Sequence, residues 1–176
     1  MSTWLQECPD CLYVGKDISA ITPEESDAVR EIGYIEAGLS ENMPDLAIRF
    51  MRRAFIDNRI RRTRDAARRL LHAAWVLDDF ELDAASVRSQ AADLIEQLGV
   101  EAGMDLRLLR LDLLRRSRAF DDAKIEADRL LRLQLELTQR AAVVTQHRAA
   151  LARRAEAIGF WEASVPRRRM RTLSFR

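Results

Sequence analysis

Between Asp121 and Gly159 the chain carries neither proline nor glycine, and Leu130, Leu133, Leu137, Ala141, Val144, Leu151, Ala155 and Ile158 keep a three-four spacing. Apolar groups at that spacing fall on one stripe of an α-helix and on both faces of a strand, so the segment can only be helical. At 1.5 Å per residue a continuous helix over 121–158 spans roughly 57 Å, longer than a small bundle covers. The helix is therefore expected either to bend near Thr138-Gln139-Arg140 or to pack its distal half on a partner, which points to a homodimer. Glycine and proline number 6 and 4 in the whole chain, and aromatics are 6%, so few breakers interrupt the good helix formers.

Upstream segments repeat the helical pattern. Thr22-Pro23-Glu24-Glu25 starts a helix, with a capping hydroxyl, proline at the first position and acids in the first turn; the spacing predicts it runs to about Leu39. Asn42-Met43-Pro44-Asp45 opens a second, with Leu46, Ala47, Phe50, Met51, Ala54 and Phe55 inward. A third is predicted over Ile60 to Asp78, with Asp65 placed to pair with Arg69, and a fourth over Asp83 to Leu98, ended by Gly99 in a left-handed cap. From Leu106 to Leu114, leucines at 106, 108, 109, 111, 113 and 114 wrap most of a helix, which must then be covered on more than one side. The expected fold is all-α: antiparallel helical hairpins over residues 22–159, an irregular cysteine-bearing segment over 1–21, and a basic tail over 160–176.

Cys8-Pro9-Asp10-Cys11 is the sharpest local motif. A CPxC turn points two thiolates at one metal, and two such turns make the tetrahedral site zinc prefers. Cys8 and Cys11 are the candidate metal ligands; His72, His147 or a second copy of the turn would have to complete the set. As a redox dithiol the pair lacks the helix start that lowers a thiol pKa, since Leu12-Tyr13-Val14-Gly15 does not open a helix. His72 sits between Leu71 and Ala73 and reads first as a packed histidine, and His147 as a surface group. Asp78-Asp79 and Asp121-Asp122 fall at helix ends, where capping and solvation account for them. No catalytic constellation and no phosphate-cradling glycine loop emerges, so the expectation is a protein that is not an enzyme and binds no cofactor, zinc being the one candidate.

The segment Leu106–Leu131 resembles a tetratricopeptide unit: Leu114, Phe120, Ala123 and Ala127 fall at matching spacing, and Trp75 with Phe80 echoes it upstream. A wider stretch, about Trp4 to Leu137, joins the CPxC turn and Tyr-Val-Gly to Leu-Ala-Ile-Arg-Phe, an arginine-rich helix ending Leu-Leu-His-Ala-Ala-Trp-Val-Leu-Asp-Asp, and the tetratricopeptide-like pair. It resembles the uncharacterised bacterial family known as domain of unknown function 2225. That resemblance implies a cytoplasmic bacterial protein joining a cysteine knuckle to tetratricopeptide-like helices. The family's usual glycine after the second cysteine is Leu12 here, and its upstream cysteine pair is missing.

Charge constrains the partner. Of 29 basic residues all but Lys16 and Lys124 are arginine, yet the net charge is +1, so no global field draws in nucleic acid. The arginines of 59–69 and 167–171 are the positions a nucleic-acid or zinc-associated module would use, but a protein or peptide is the expected partner. No stretch reaches the ~18 uncharged apolar residues of a membrane span, and the first ten residues lack the regions of a secretory signal, so the cytoplasm is the expected compartment.

Overall fold

A computed structural model describes residues 5–38 and 42–164, with side chains described through 142 and at 145 and 146. Over these residues the protein is all-α except for a hairpin of β1 (Gln6–Glu7) and β2 (Val14–Gly15), antiparallel, with Gln6 opposite Gly15 and Glu7 opposite Val14. Seven helices follow: α1 (Pro23–Val29), α2 (Ile32–Glu36), α3 (Asp45–Arg59), α4 (Thr63–Asp79), α5 (Ala85–Gln97), α6 (Met104–Arg116) and α7 (Phe120–Ser164). The chain divides into two compact units, one ending at Leu130 and one beginning at Leu131.

In the first unit α3 packs on α4, α4 on α5 and α5 on α6. Alanines make the contacts close: Ala66, Ala67, Ala73 and Ala74 of α4 and Ala91 and Ala92 of α5 are all buried. Without a γ-carbon they let neighbouring axes approach, and Leu70, Leu77, Ile95, Leu113 and Leu114 fill the remaining space. The leucine-wrapped helix is covered as expected, with Leu106, Leu113 and Leu114 buried and Leu109 and Leu111 half-buried; Leu108 alone of the six faces solvent, 51% exposed.

Three turns share one solution. Arg61, Glu81 and Arg118 each take a left-handed backbone, with φ of 62°, 57° and 64°. The next residue then donates back to the carbonyl five positions earlier: Arg62 to Asp57, Leu82 to Leu77 and Ala119 to Leu114. This is the helix ending glycine normally supplies. Gly99 ends α5 in the left-handed region as the sequence suggested, at φ 53°. Ile60–Arg62 belong to the first of these turns, so α4 starts at Thr63 rather than Ile60.

The predicted helix from Thr22 to Leu39 is two helices. Its start is as expected, with Thr22 and Glu25 forming a reciprocal capping box, but α1 stops at Val29 and Glu31 is extended. The cause is the shared target of Ala28 and Tyr34, both buried in one cluster with Tyr13 and Ile56. On a straight helix, residues six apart lie about 120° apart around the axis, so the break at Arg30–Glu31 lets both reach α3. Leu39 itself lies outside the described residues. Two other expectations fail: Leu46 is 44% exposed, and Arg69 turns from Asp65 to Asp57, with Nε 3.6 Å from Oδ2.

Sequence reasoning also missed the ion pairs that join neighbouring helices. Glu126 of α7 is fully buried and takes Arg110 at 2.5 Å and Arg107 at 3.4 Å, tying α7 to α6. Asp78, read as a capping group, instead pairs with Arg88 of α5 and lies 4.0 Å from Arg116 of α6.

Over its described residues the second unit is the remainder of α7, which runs unbroken through Thr138-Gln139-Arg140. Leu131, Leu133, Leu135 and Leu137 are exposed there. The side chains of Val144, His147, Leu151, Ala155 and Ile158, and the tail residues 165–176, lie outside the described set. No helix among the described residues is long and apolar enough to cross a membrane.

Candidate binding groove and cysteine hairpin

Two features of the first unit are candidates for a site. The larger is a groove of about 560 Å³ between α3 and α5. Met51, Ala54, Phe55 and Asn58 form the α3 wall, and Gln90, Asp93, Leu94 and Gln97 form the α5 wall. Both sets stand at i, i+3, i+4 and i+7, the spacing of one helix face. Leu70 of α4 floors the groove, and α2 closes it with Gly33 and Glu36. Gly33 is required there, because a Cβ would sit 2.6 Å from the Phe55 ring. In a chain with 29 cations, the groove lining contains none: its charges are Glu36 and Asp93, and its other polar groups are amides.

The second feature is the cysteine hairpin. The Cys8 N–H donates to the Tyr13 carbonyl and the Leu12 N–H to the Cys8 carbonyl, both at 2.9 Å. Leu12 is left-handed, φ 60°, a backbone conformation that glycine adopts more readily than other residues. The turn folds the N–H groups of Cys11 and Asp10 back onto the Cys8 thiol and brings the Cys11 thiol within hydrogen-bonding reach; together they hold the Cys8 pKa below the ordinary thiol value. Cys8 is half-buried and Cys11 exposed. The two candidate ligands are thus brought together.

His72 does not join them. No group of three or more potential metal ligands occurs among the described residues, and the His72 ring packs 5.2 Å from both Phe50 and Trp75. Burial, helped by Arg69 and Arg68, lowers its pKa. His147 has no described side chain.

Buried charge holds the hairpin to α3. Arg53 donates to Asp57 Oδ1 through Nε and Nη2, to Glu25 Oε1 at 2.8 Å, and to the Tyr13 hydroxyl and Val14 carbonyl at 3.3 Å. Glu25 is therefore both the capping-box acid of α1 and the ion-pair partner of α3. Burial opposes its ionisation, but the Thr22 N–H, Arg53 and the Tyr13 hydroxyl outweigh that and hold its carboxyl below the usual glutamate range. Beside it Arg52 bonds Glu7 at 3.1 Å and covers the Tyr34 ring, while the Tyr34 hydroxyl donates to the Leu12 carbonyl at 2.5 Å. These partners lie far apart in sequence, so no local pattern announces them; Arg53 and Asp57 read only as polar positions of α3.

The tetratricopeptide-like spacing is only partly reflected in packing. Leu114 and Ala123 are buried, but Phe120 and Phe80 are each 63% exposed. Comparison of the chain with protein-family models, with curated proteins and with solved structures gives no match in any of the three.

Proposed function

We propose that this protein is a non-catalytic interaction module, a tetratricopeptide-like array of helical hairpins of the bacterial cytoplasm, whose α3–α5 groove holds a segment of a partner protein. The observation that carries the reading is the groove lining: two helix faces in matching register over an apolar floor, edged by amides and two carboxylates. Met51 and Phe55 suit an apolar anchor of irregular shape, and a rim with acids but no cations favours lysine or arginine flanking that anchor. The partner segment is thus amphipathic and basic, laid into the groove by its apolar face.

Selection from a random peptide library tests this. Peptides recovered on the wild-type protein are expected to combine apolar anchors with flanking Arg or Lys, and to be lost on a Gln90→Arg, Asp93→Arg double variant. Both positions are exposed, so the variant should fold normally. Recovery of the same peptides on both proteins would remove the reading.

A second reading is favoured by the hairpin geometry. Cys8 and Cys11 form half of a zinc site, which a second copy completes if α7 pairs two chains through its exposed leucines. Metal analysis of protein purified without added zinc should then give about one zinc per two chains; a value near zero, with a monomer mass by light scattering, rules it out.

A further inference from the structure

Three short stretches, 1–4, 39–41 and 165–176, lie outside the described residues, and only the last carries cations. From Pro166 it reads Pro-Arg-Arg-Arg-Met-Arg-Thr-Leu-Ser-Phe-Arg, with five arginines, no acid, and the apolar Met170, Leu173 and Phe175. Arg169 and Arg171 flank Met170, and Arg176 follows Phe175. The other arginine run, 59–69, contains Asp65 and is fixed in the end of α3, the start of α4 and the turn between them. Residues 166–176 thus combine apolar anchors with adjoining arginines. The α3–α5 groove offers the complement: Met51, Phe55 and Leu94 for the anchors, the carboxylates of Glu36 and Asp93 for the arginines, and no cation in its lining.

The length of α7 bears on whose groove the segment meets. Beyond Leu130, the last residue of the first unit, α7 continues to Ser164. At 1.5 Å per residue that stretch spans roughly 51 Å. Residues 165–176, fully extended, cover at most about 43 Å. They are too short to return along α7 to Leu130.

We propose that residues 166–176 of one copy of this chain dock in the α3–α5 groove of a second copy. Met170, Leu173 and Phe175 supply the apolar anchors, and the arginines beside them face Glu36 and Asp93. The docking presupposes that the groove is a peptide site, and it names the occupant. Segment and groove are different surfaces, so the contact is heterologous: it closes when two chains exchange segments and otherwise continues as an open array. An occupied groove is closed to any other peptide, so self-association and partner binding compete.

Methyl NMR of the full chain labelled at methionine reads both sides, since Met51 lines the groove and Met170 lies in the segment. On dilution the Met51 and Met170 signals should move together. The segment variant Leu173→Ser, Phe175→Ser should abolish that concentration dependence at Met51, and the groove variant Gln90→Arg, Asp93→Arg should abolish it at Met170. A synthetic peptide of residues 166–176, titrated into the full-length segment variant, should shift Met51 and leave Met43 in place. The same peptide with both serine replacements should bind at least about tenfold more weakly, the scale of losing two large apolar contacts. A library-selected peptide that shifts Met51 while the 166–176 peptide does not would overturn this occupant and leave the groove standing as a peptide site. Failure of both peptides to shift Met51 removes the groove and the docking together. A Met170 signal indifferent to the groove variant also overturns the proposal, and so does one that responds to that variant but not to dilution, which would put the segment in its own chain's groove.

Discussion

The N-terminal segment, residues 5–38, and the helices from α3 to the start of α7 are held in different ways. The helices bury a continuous core of leucine and alanine from neighbouring elements. The segment adds Leu5 and Val14 to that core, but its own cluster has just four buried members, Tyr13, Ala28, Tyr34 and Ile56. Much of its attachment is polar: Arg53, Glu25, Asp57 and the Tyr13 hydroxyl behind the hairpin, and Arg52 with Glu7 and Tyr34 beside it. Apolar packing tolerates small errors of geometry, whereas a buried ion pair depends on every partner. The segment carrying the cysteine turn should therefore be the part that releases when one charge is removed.

Arg53→Met should show the largest effect. It strands the carboxylates of Glu25 and Asp57 and should cost about 3–5 kcal/mol, by urea unfolding. Hydrogen exchange should rise first in residues 5–38. Replacing Arg53, Glu25 and Asp57 together by apolar residues should recover most of the loss; no recovery would mean that the pairing is not what holds the segment. Within the stack, Leu77→Ala should cost about 2–5 kcal/mol, because Leu77 is buried at 2% exposure. That loss should accelerate exchange across α3 to α6 rather than in the segment alone, and Leu108→Ala should stay within about 0.5 kcal/mol.

Acid separates the regions further. The Glu25 pKa is depressed in the fold, so its contribution is fully present above the unfolded value of about 4.3 and is lost as pH falls through the lower folded value. Exchange in residues 5–38 should increase in that window, and Glu25→Gln should flatten the dependence while lowering stability at pH 7. The turns should give modest effects of the opposite sign. Leu12→Gly, Arg61→Gly, Glu81→Gly and Arg118→Gly each remove a left-handed non-glycine residue and should stabilise by about 0.5–1 kcal/mol, net of the entropy glycine adds to the unfolded chain.

Legibility in the sequence followed the same division. The start of α1 was readable from Thr22-Pro23-Glu24-Glu25, the end of α5 from Gly99, and the covered α6 from its leucines, because each depends on residues within a few turns. The break at Arg30–Glu31 was not, since it arises from two side chains reaching for α3. The turns at Arg61, Glu81 and Arg118 carry no glycine to mark them. Cys8 and Cys11 were picked out by spacing, whereas the α3–α5 groove depends on which helix faces meet, and no single stretch encodes that.

Methyl NMR of protein labelled at methionine tests the groove most directly. Of the five methionines, Met51 lines the groove and Met43 packs against the core. Addition of a library-selected basic amphipathic peptide should shift the Met51 methyl and leave Met43 and Met104 in place, and the shift should vanish in the Gln90→Arg, Asp93→Arg variant. Tight binding that leaves Met51 unmoved, or that moves it equally in the variant, would contradict the account.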